Sequence, residues 1–418
     1  MRIAVVGSGV SGLVAAHMLA RHHGVTVFEK SETVGGHVRT IDVDLDGVRH
    51  PVDTGFVVYN ETTYPGFVRL LAELGVHSRP TAMSFGVRCE RTGLEYCGTS
   101  PATLLAQPAN LLRPRFWRLV GGILAFNRRA RRLATRSDED ISLGELAERT
   151  GLRGPAWSHY VRPLVSAIWS TNPDRVESFP TAFFLRFAER HRLLQVRDQL
   201  RWRVVEGGSR SYVERLIARL PATIRTRCPV VSIERGAGGV SLRLGDGSSA
   251  SFDRVVIASH SDEALAMLSD PSSDEREILG AIRYQHNDAV LHTDTRLLPR
   301  APRARANWNY LIPEQPDASV VTTYDMTGLQ GLATRQRVLV TLNDGGRVRA
   351  DRVIERLAFS HPVYDGATVA AQARRREISG VRRTHYCGAY WGFGFHEDGL
   401  QSALRACAEI SGPHEAAA

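Results

Sequence analysis

Gly7, Gly9 and Gly12 stand in the spacing G-x-G-x-x-G directly behind the apolar run Ile3-Ala-Val-Val6, and Glu29 follows Gly12 by 17 residues. Residues of these types at that spacing can hold a dinucleotide. Gly7 lets the chain turn sharply out of a strand, Gly9 lets backbone N–H groups approach a pyrophosphate, and Gly12 lets the following helix pack close to the strand. The helix opening there turns its partial positive charge to the phosphates. Glu29 ends a second apolar strand, Val25–Phe28, where an acid meets a ribose hydroxyl. A second glycine block, Gly35-Gly36-His37-Val38-Arg39-Thr40, follows at once.

Other chemistries find little support. There is no G-x-S-x-G elbow, no H-E-x-x-H and no Cys/His cluster at metal spacing, so no metal site is expected. Lys30 is the only lysine among 53 basic residues and sits wrongly for a Schiff base or a P-loop. Tyr59, Trp308, Tyr324 and His396 are candidates to face a substrate or a redox cofactor, with Trp391 and Phe393 beside them. For each aromatic the competing reading is core packing, and for His396 a satisfied structural histidine at a helix start.

These residues must be positioned by a folded chain of 418 residues, enough for two or three domains, with 43% hydrophobic and 23% charged residues. Residues 2–29 read as a βαβ unit, 41–59 as extended, and Thr63–Leu74 as a helix with Phe67, Leu70, Leu71 and Leu74 on one face. Met83–Arg88 and Leu94–Tyr96 read as a hairpin turning at Thr92-Gly93. Residues 102–200 read as mainly helical, with a capping box at Ser142–Glu145 and a stop at Gly151. A helix is expected before Leu220, a strand pair turning at Asp246-Gly247, a buried strand at Val255–Ser259 and a strand-rich region over 288–343 that puts Trp308, Tyr310, Tyr324 and Met326 at pocket positions. A glycine-rich segment from Gly388 to Gly399 runs into a last helix ending near Ile410, and 411–418 read as a frayed tail.

Between Glu95 and Asp138 there is no acidic residue, while Arg113, Arg115, Arg118, Arg128, Arg129, Arg131, Arg132 and Arg136 interleave with Phe116, Trp117, Leu119, Ile123, Leu124 and Phe126. This basic amphipathic segment reads either as a helix lying on anionic lipid or funnelling an anionic substrate, or as a solvated arginine face on a packed helix. Nucleic acid is not expected as a partner, because no recognised module accompanies the charge. No apolar run approaches the ~18 residues of a membrane span, no secretory signal precedes the strand at Arg2, and the five cysteines show no pairing pattern. A reduced cytoplasmic setting is the expectation, with peripheral contact to the inner face of the membrane through 113–136.

Taken together, four blocks resemble the FAD-dependent amine oxidase, protoporphyrinogen oxidase and phytoene desaturase superfamily: Gly7–Ala16 with Glu29; Gly35–Thr40, similar to G-G-R-x-x-T; Cys228-Pro-Val230-Val-Ser-Ile233 leading to Val255–Ser259; and Tyr386-Cys-Gly388 through Asp398-Gly399-Leu400. Asp53–Asn60, Tyr324–Gln330 and Gly388–Gly399 look closest to a bacterial group of predicted NAD/FAD-binding proteins found beside cyclopropane-fatty-acid-synthase-like methyltransferases, some relatives of which are implicated in dehydrogenating modified membrane acyl chains. The resemblance implies bound FAD, with Gly7, Gly9, Gly12, Glu29, Lys30, Gly36, His37, Arg39, Thr40, Gly55, Phe56, Val230, Gly388, Trp391, Gly399 and Leu400 as the cofactor-binding set. Three departures stand out. His37 replaces the usual arginine at the phosphates, with Arg39 two residues on as its expected substitute. Ala389-Tyr390 replaces T-E. The lysine that holds a water beside the flavin in many amine oxidases is missing.

The expected architecture is therefore an α/β protein: a Rossmann-like FAD-binding domain from 1–80, 200–285 and 380–418, interleaved with an α+β substrate domain from 81–199 and 286–379. The expected activity is FAD-dependent dehydrogenation of an apolar substrate, a small molecule or a membrane acyl chain. Amine oxidation with peroxide release, a non-redox flavoprotein isomerase or mutase, and a flavin-binding scaffold are the alternatives. Oligomeric state, electron acceptor and covalent attachment of the flavin are left open.

Overall fold

The computed structural model describes residues 1–134, 141–195, 198–314 and 321–411. Residues 135–136 of the basic segment and 412–418 of the expected tail lie outside the described residues.

A five-stranded parallel sheet forms the first layer, in the order Thr223–Arg225, Gly24–Phe28, Arg2–Val6, Arg254–Ile257, Thr384–Tyr386. The runs Ile3–Val6 and Val255–Ile257 are continuously apolar because both faces of this sheet are covered. Ile3 and Val5 pack with Leu13, Leu19, Phe67 and Leu400 on the helical side. Ala4 and Val6 pack with Ile233, Leu242 and Tyr386 on the side of an antiparallel meander, Val230–Gly236, Gly239–Leu244 and Ser249–Phe252. The helices Val10–Leu19 and His396–Ser411 lie against each other on the first side.

A seven-stranded mixed sheet forms the second layer, in the order Val353–Pro362, Tyr284–His292, Leu339–Leu342, Val321–Asp325, Trp308–Ile312, Phe85–Cys89, Glu95–Cys97. The hairpin expected around Gly93 is its edge, with Gly93 at φ +67°. A helical layer stands beside it, chiefly Pro114–Ala134, Leu143–Arg149, Arg162–Trp169 and Thr181–Arg190, around Phe126, Trp169, Phe179 and Phe184. Gly122 sits where a β-carbon would lie 2.7 Å from that of Ala156, so Pro114–Ala134 is seated closely on its neighbour.

The helix expected from Thr63 begins instead at Pro65. Asn60 Oδ1 accepts the N–H groups of Thr62 and Thr63, at 3.1 and 2.8 Å, and this side-chain turn delays the helix until proline can open it. Between the two layers runs a short ribbon, Val58–Asn60, Trp202–Val205 and Ser78–Thr81. Beside it the buried Asp53 carboxylate ties three segments together: it accepts from Thr40 Oγ1 (2.6 Å), Ser209 N (2.9 Å) and Ser209 Oγ (2.8 Å).

Candidate functional site

The two layers enclose a cavity of about 1650 Å³, above the roughly 300–1,000 Å³ of an ordinary small-molecule pocket. One end lies at the carboxyl ends of the parallel strands, where open α/β sheets bind ligands. It is lined by Gly7–Ser11, Glu29–Ser31, Gly35–Val38, Val230, Ala258–His260 and Gly388–Tyr390. The other end is apolar, walled by Met83, Phe85, Leu104, Val120, Ile123, Leu124, Leu164, Ile168, Trp308, Tyr324, Met326 and Val340.

The glycines do the separate jobs that their spacing implies. Gly7 holds φ +101°, and a β-carbon at Gly12 would lie 1.9 Å from the Gly7 carbonyl oxygen, so only glycine brings helix and turn together. Around Gly9, at the N-cap of Val10–Leu19, a β-carbon would meet nothing within 4 Å. The open space is what a phosphate on the helix N-terminus needs. Gly36, at φ +60°, lies against Gly9, since a β-carbon there would come 3.0 Å from the Gly9 α-carbon. A β-carbon at Gly55 would come 2.0 Å from the His37 carbonyl oxygen, and that same oxygen accepts the Phe56 N–H at 2.9 Å.

Glu29 stands in the cavity wall, fixed by Ser8, whose N–H and Oγ donate to Oε2 at 3.0 and 2.6 Å, and by the Ser31 N–H on Oε1 at 2.8 Å. Ser8 is a residue the motif leaves unspecified. Lys30 lines the same end and pairs with Glu263 at 2.5 Å. Val230, Gly388 and Phe56 line the cavity as well.

Several expected contacts are corrected. Arg39 does not line the cavity: its Nη1 donates to Thr33 Oγ1 at 3.0 Å, so it does not take the place of the missing arginine. Thr40 is spent on Asp53. Tyr59 turns away, donating to Ser78 Oγ at 2.7 Å and packing its ring on Phe67. Trp391 lies behind Tyr390 in the core with Ile378 and Tyr386. Gly399 and Leu400 sit farther along the last helix. The Gly399 carbonyl accepts from Ser11 Oγ at 2.9 Å and Leu400 is buried against Val10–Leu19, so both fasten helix to helix. Tyr310 is buried in the sheet's packing and Gly12 supports the turn from behind; neither lines the cavity.

Trp308 and Tyr324 do line the apolar end, stacked at 6.1 Å. Burial pushes the Tyr324 phenol up, so it stays neutral. His396 lines the cavity but is held: Nε2 is 2.6 Å from Tyr212 Oη and the ring stacks on Phe56 at 3.8 Å. Burial drives it down to about 3, which makes it a neutral positioning group and not a proton donor at neutral pH.

His260, His361 and Phe359 belong to none of the motif spacings, yet they gather around His37 in the cavity wall. His260 follows the apolar strand Val255–Ile257 at its carboxyl end, a position that marks ligand sites in such sheets and was a usable signal. His361 lies on a strand of the other sheet and carries no such signal.

A family model described as flavin containing amine oxidoreductase matches residues 10–296. The chain is 30% identical over 280 residues to AofH of Mycobacterium tuberculosis, whose name places it among flavin-containing monoamine oxidases. That match covers 64% of this chain and 59% of that protein, so the chain spans somewhat over half the length of the curated relatives it matches. Among solved structures, a CLA-producing fatty acid isomerase from P. acnes superposes with a TM-score of 0.70 at 16% identity over 96% of both chains. Cyclohexylamine oxidase from Brevibacterium oxydans superposes with a TM-score of 0.69 at 15% identity over 98% of both chains. At these identities the two structures share the fold.

Proposed function

Because the chain belongs to the flavin containing amine oxidoreductase family, we propose that it is an FAD-dependent oxidoreductase whose substrate is an apolar acyl chain drawn from a membrane surface. The residues present fit FAD: an open backbone cradle at Gly9, an acid at Glu29 and a cavity large enough for a dinucleotide and a second molecule. Bound FAD supplies a two-electron oxidant that takes a hydride equivalent from a C–H bond. The chain's own part is to orient the cofactor, exclude water and admit the substrate.

The observation that carries the substrate reading is the helix Pro114–Ala134. Val120, Ile123 and Leu124 face the cavity, yet Leu124 is also 48% exposed, which puts the helix at the rim. Trp117 is 49% exposed and Leu112, just before the helix, 89%. Arginines surround these apolar side chains, and among the described residues Arg115, Arg118 and Arg128 have no carboxylate partner. Apolar side chains among unpaired cations suit an anionic lipid surface, and an acyl chain passing Leu124 meets apolar wall. Among the described residues the acidic lining residues are Glu29, Asp53, Glu61 and Glu263, and none belongs to the wall formed by 83–134, 141–168, 308–314 and 321–340, so no described carboxylate there awaits an ammonium group. Among the described residues no helix is long and apolar enough to cross a membrane, so contact would be peripheral.

Holoprotein mixed anaerobically with anionic phospholipid vesicles is expected to lose the visible band of oxidised flavin, and the recovered acyl chains to lack two hydrogens by mass spectrometry. Bleaching by small amines instead, with peroxide formed in air, would establish amine oxidation. Acyl chains rearranged at unchanged mass would establish an isomerase of the kind that shares the fold. The protein is also expected to float with anionic vesicles at low salt. Replacement of Arg115, Arg118 and Arg128 by glutamine should weaken that association about 100-fold, from about 1 kcal/mol per basic residue at the surface. No flotation at low salt would sink the membrane part.

A further inference from the structure

Three histidines from three separate elements meet beside the phosphate-facing turn. His37 follows Gly36, which lies on Gly9; His260 caps the helix Ser261–Met267; His361 sits on the strand Val353–Pro362. The His37 ring is 5.8 Å from His260, 5.6 Å from His361 and 5.2 Å from Phe359, centroid to centroid, and all four side chains line the cavity. His260 stacks on Tyr284 at 4.4 Å. The His361 tautomer follows from its neighbours. Asn287 Oδ1 accepts from Asn343 Nδ2 at 2.7 Å, so Asn287 Nδ2 is the atom 2.9 Å from His361 Nδ1, and the neutral ring carries its proton on Nε2.

Among the described residues, no unpaired fixed positive charge stands at these three rings. Arg39 is turned to Thr33, and the cavity's arginines, Arg192, Arg201 and Arg203, lie on the segment leading into and along Trp202–Val205. The charged groups facing the cluster are Glu263, Asp262 and Lys30, with Glu29 beside Lys30; Tyr284 is neutral, and so is His396, which faces His37 and is itself held down by burial. Lys30 and Glu263 pair with each other, which largely cancels them at the rings. Burial, and then the rings' effect on one another, holds His37 down to about 4 and His361 to about 3, and burial lowers His260 too.

We propose that FAD binds this chain together with at least one proton, taken up by the His37–His260–His361 cluster as the pyrophosphate arrives, so that FAD affinity rises as pH falls. An anion at hydrogen-bond distance favours the charged ring, reversing the balance that burial sets. The pyrophosphate of FAD is a diester, ionised throughout the neutral range, so the proton comes from solvent to the protein. The bound-state pKa lies above the free-state one; the added affinity is therefore full at low pH and fades as pH rises through the bound-state value. The inference rests on the FAD reading above.

The test dilutes holoprotein at a series of pH values from 4.5 to 8.5 and measures released FAD by its fluorescence. The dissociation constant is expected to rise with pH by up to about tenfold per unit, the slope of one linked proton. His37→Arg, which supplies a permanent cation, should flatten the profile while keeping FAD bound. His361→Gln, which keeps the N–H donor and removes the titration, should reduce the slope. A flat profile in wild-type protein that binds FAD overturns the inference, as does a slope unchanged in both variants. No FAD bound at any pH overturns the cofactor reading instead.

Discussion

Gly12→Ala is expected to yield a protein that melts early and purifies without yellow colour, whereas Gly9→Ala keeps the fold and loses mainly the flavin. The difference lies in what the new methyl meets. At Gly12 it would lie 1.9 Å from the Gly7 carbonyl oxygen and 3.3 Å from the Ala258 side chain, so helix and sheet must part. Backbone cannot yield as a flexible side chain does, and the cost is expected at about 3 kcal/mol, the upper part of the range for overpacking. At Gly9 the methyl enters open space, and the residue keeps φ −65°, which alanine adopts freely. Loss of a glycine N-cap costs about 1 kcal/mol or less. The methyl does stand where a phosphate must approach, so FAD affinity should fall about tenfold or more, which is about 1.4 kcal/mol. Thermal melting and the flavin absorbance of purified protein read both effects. Equal melting temperatures for the two variants would refute this division of roles.

Glu275→Ala is the second large effect, expected to cost about 3 kcal/mol of stability, the lower end for breaking a buried ion pair. Glu275 joins three elements. Its carboxylate takes both terminal nitrogens of Arg235 from the meander, one at 2.9 Å, and the Tyr386 hydroxyl from the parallel sheet at 2.6 Å. The Arg235 side chain is 1% exposed. Without Glu275 that cation keeps only Asp270, 3.0 Å away, which is why the lower end is expected. The network lies behind the Tyr386-Cys387-Gly388 segment that leads into the cavity wall, so FAD should also bind less tightly.

Acid provides a check on the same group. Burial works against the Glu275 charge, but hydrogen bonds from Arg235 and Tyr386 outweigh it and hold the carboxyl down at about 2. A folded-state value below the ordinary 4.5 contributes stability at pH above 4.5, and that contribution is lost as pH falls toward 2. The urea-midpoint gap between wild type and Glu275→Ala should therefore narrow between pH 5 and 3. A gap constant over that range would show that the loss is one of packing and not of charge.

The phosphate turn was legible because everything it requires is local. Gly7, Gly9 and Gly12 answer to backbone angles and close approaches within a dozen residues, and a strand before and a helix after complete the pattern. The capping box Ser142–Glu145 and the buried face Phe67, Leu70, Leu71 and Leu74 were legible for the same reason. The helix Pro114–Ala134 was half legible. Its arginines and apolar residues are plain in the chain, but that Val120 and Ile123 line a cavity while Trp117 faces out depends on what the helix packs against.

The α/β class, the dinucleotide turn and, through four separated blocks, the flavin family are written in the order of residues along the chain. These follow from spacings that repeat wherever the same backbone geometry is needed. The tertiary structure alone decided which side chains reach the cavity. Tyr59 and Trp391 lie within a few residues of lining positions and face away, Tyr59 toward Ser78 of another strand and Trp391 into the core with Ile378. Arg39 is two residues from His37 and points to Thr33. His260 and His361 lie more than 200 residues beyond His37 in the chain yet within 6 Å of its ring, a juxtaposition made by two sheets meeting at one wall. Side-chain direction in a strand alternates with every residue and contact across sheets has no period, so no spacing along the chain encodes either.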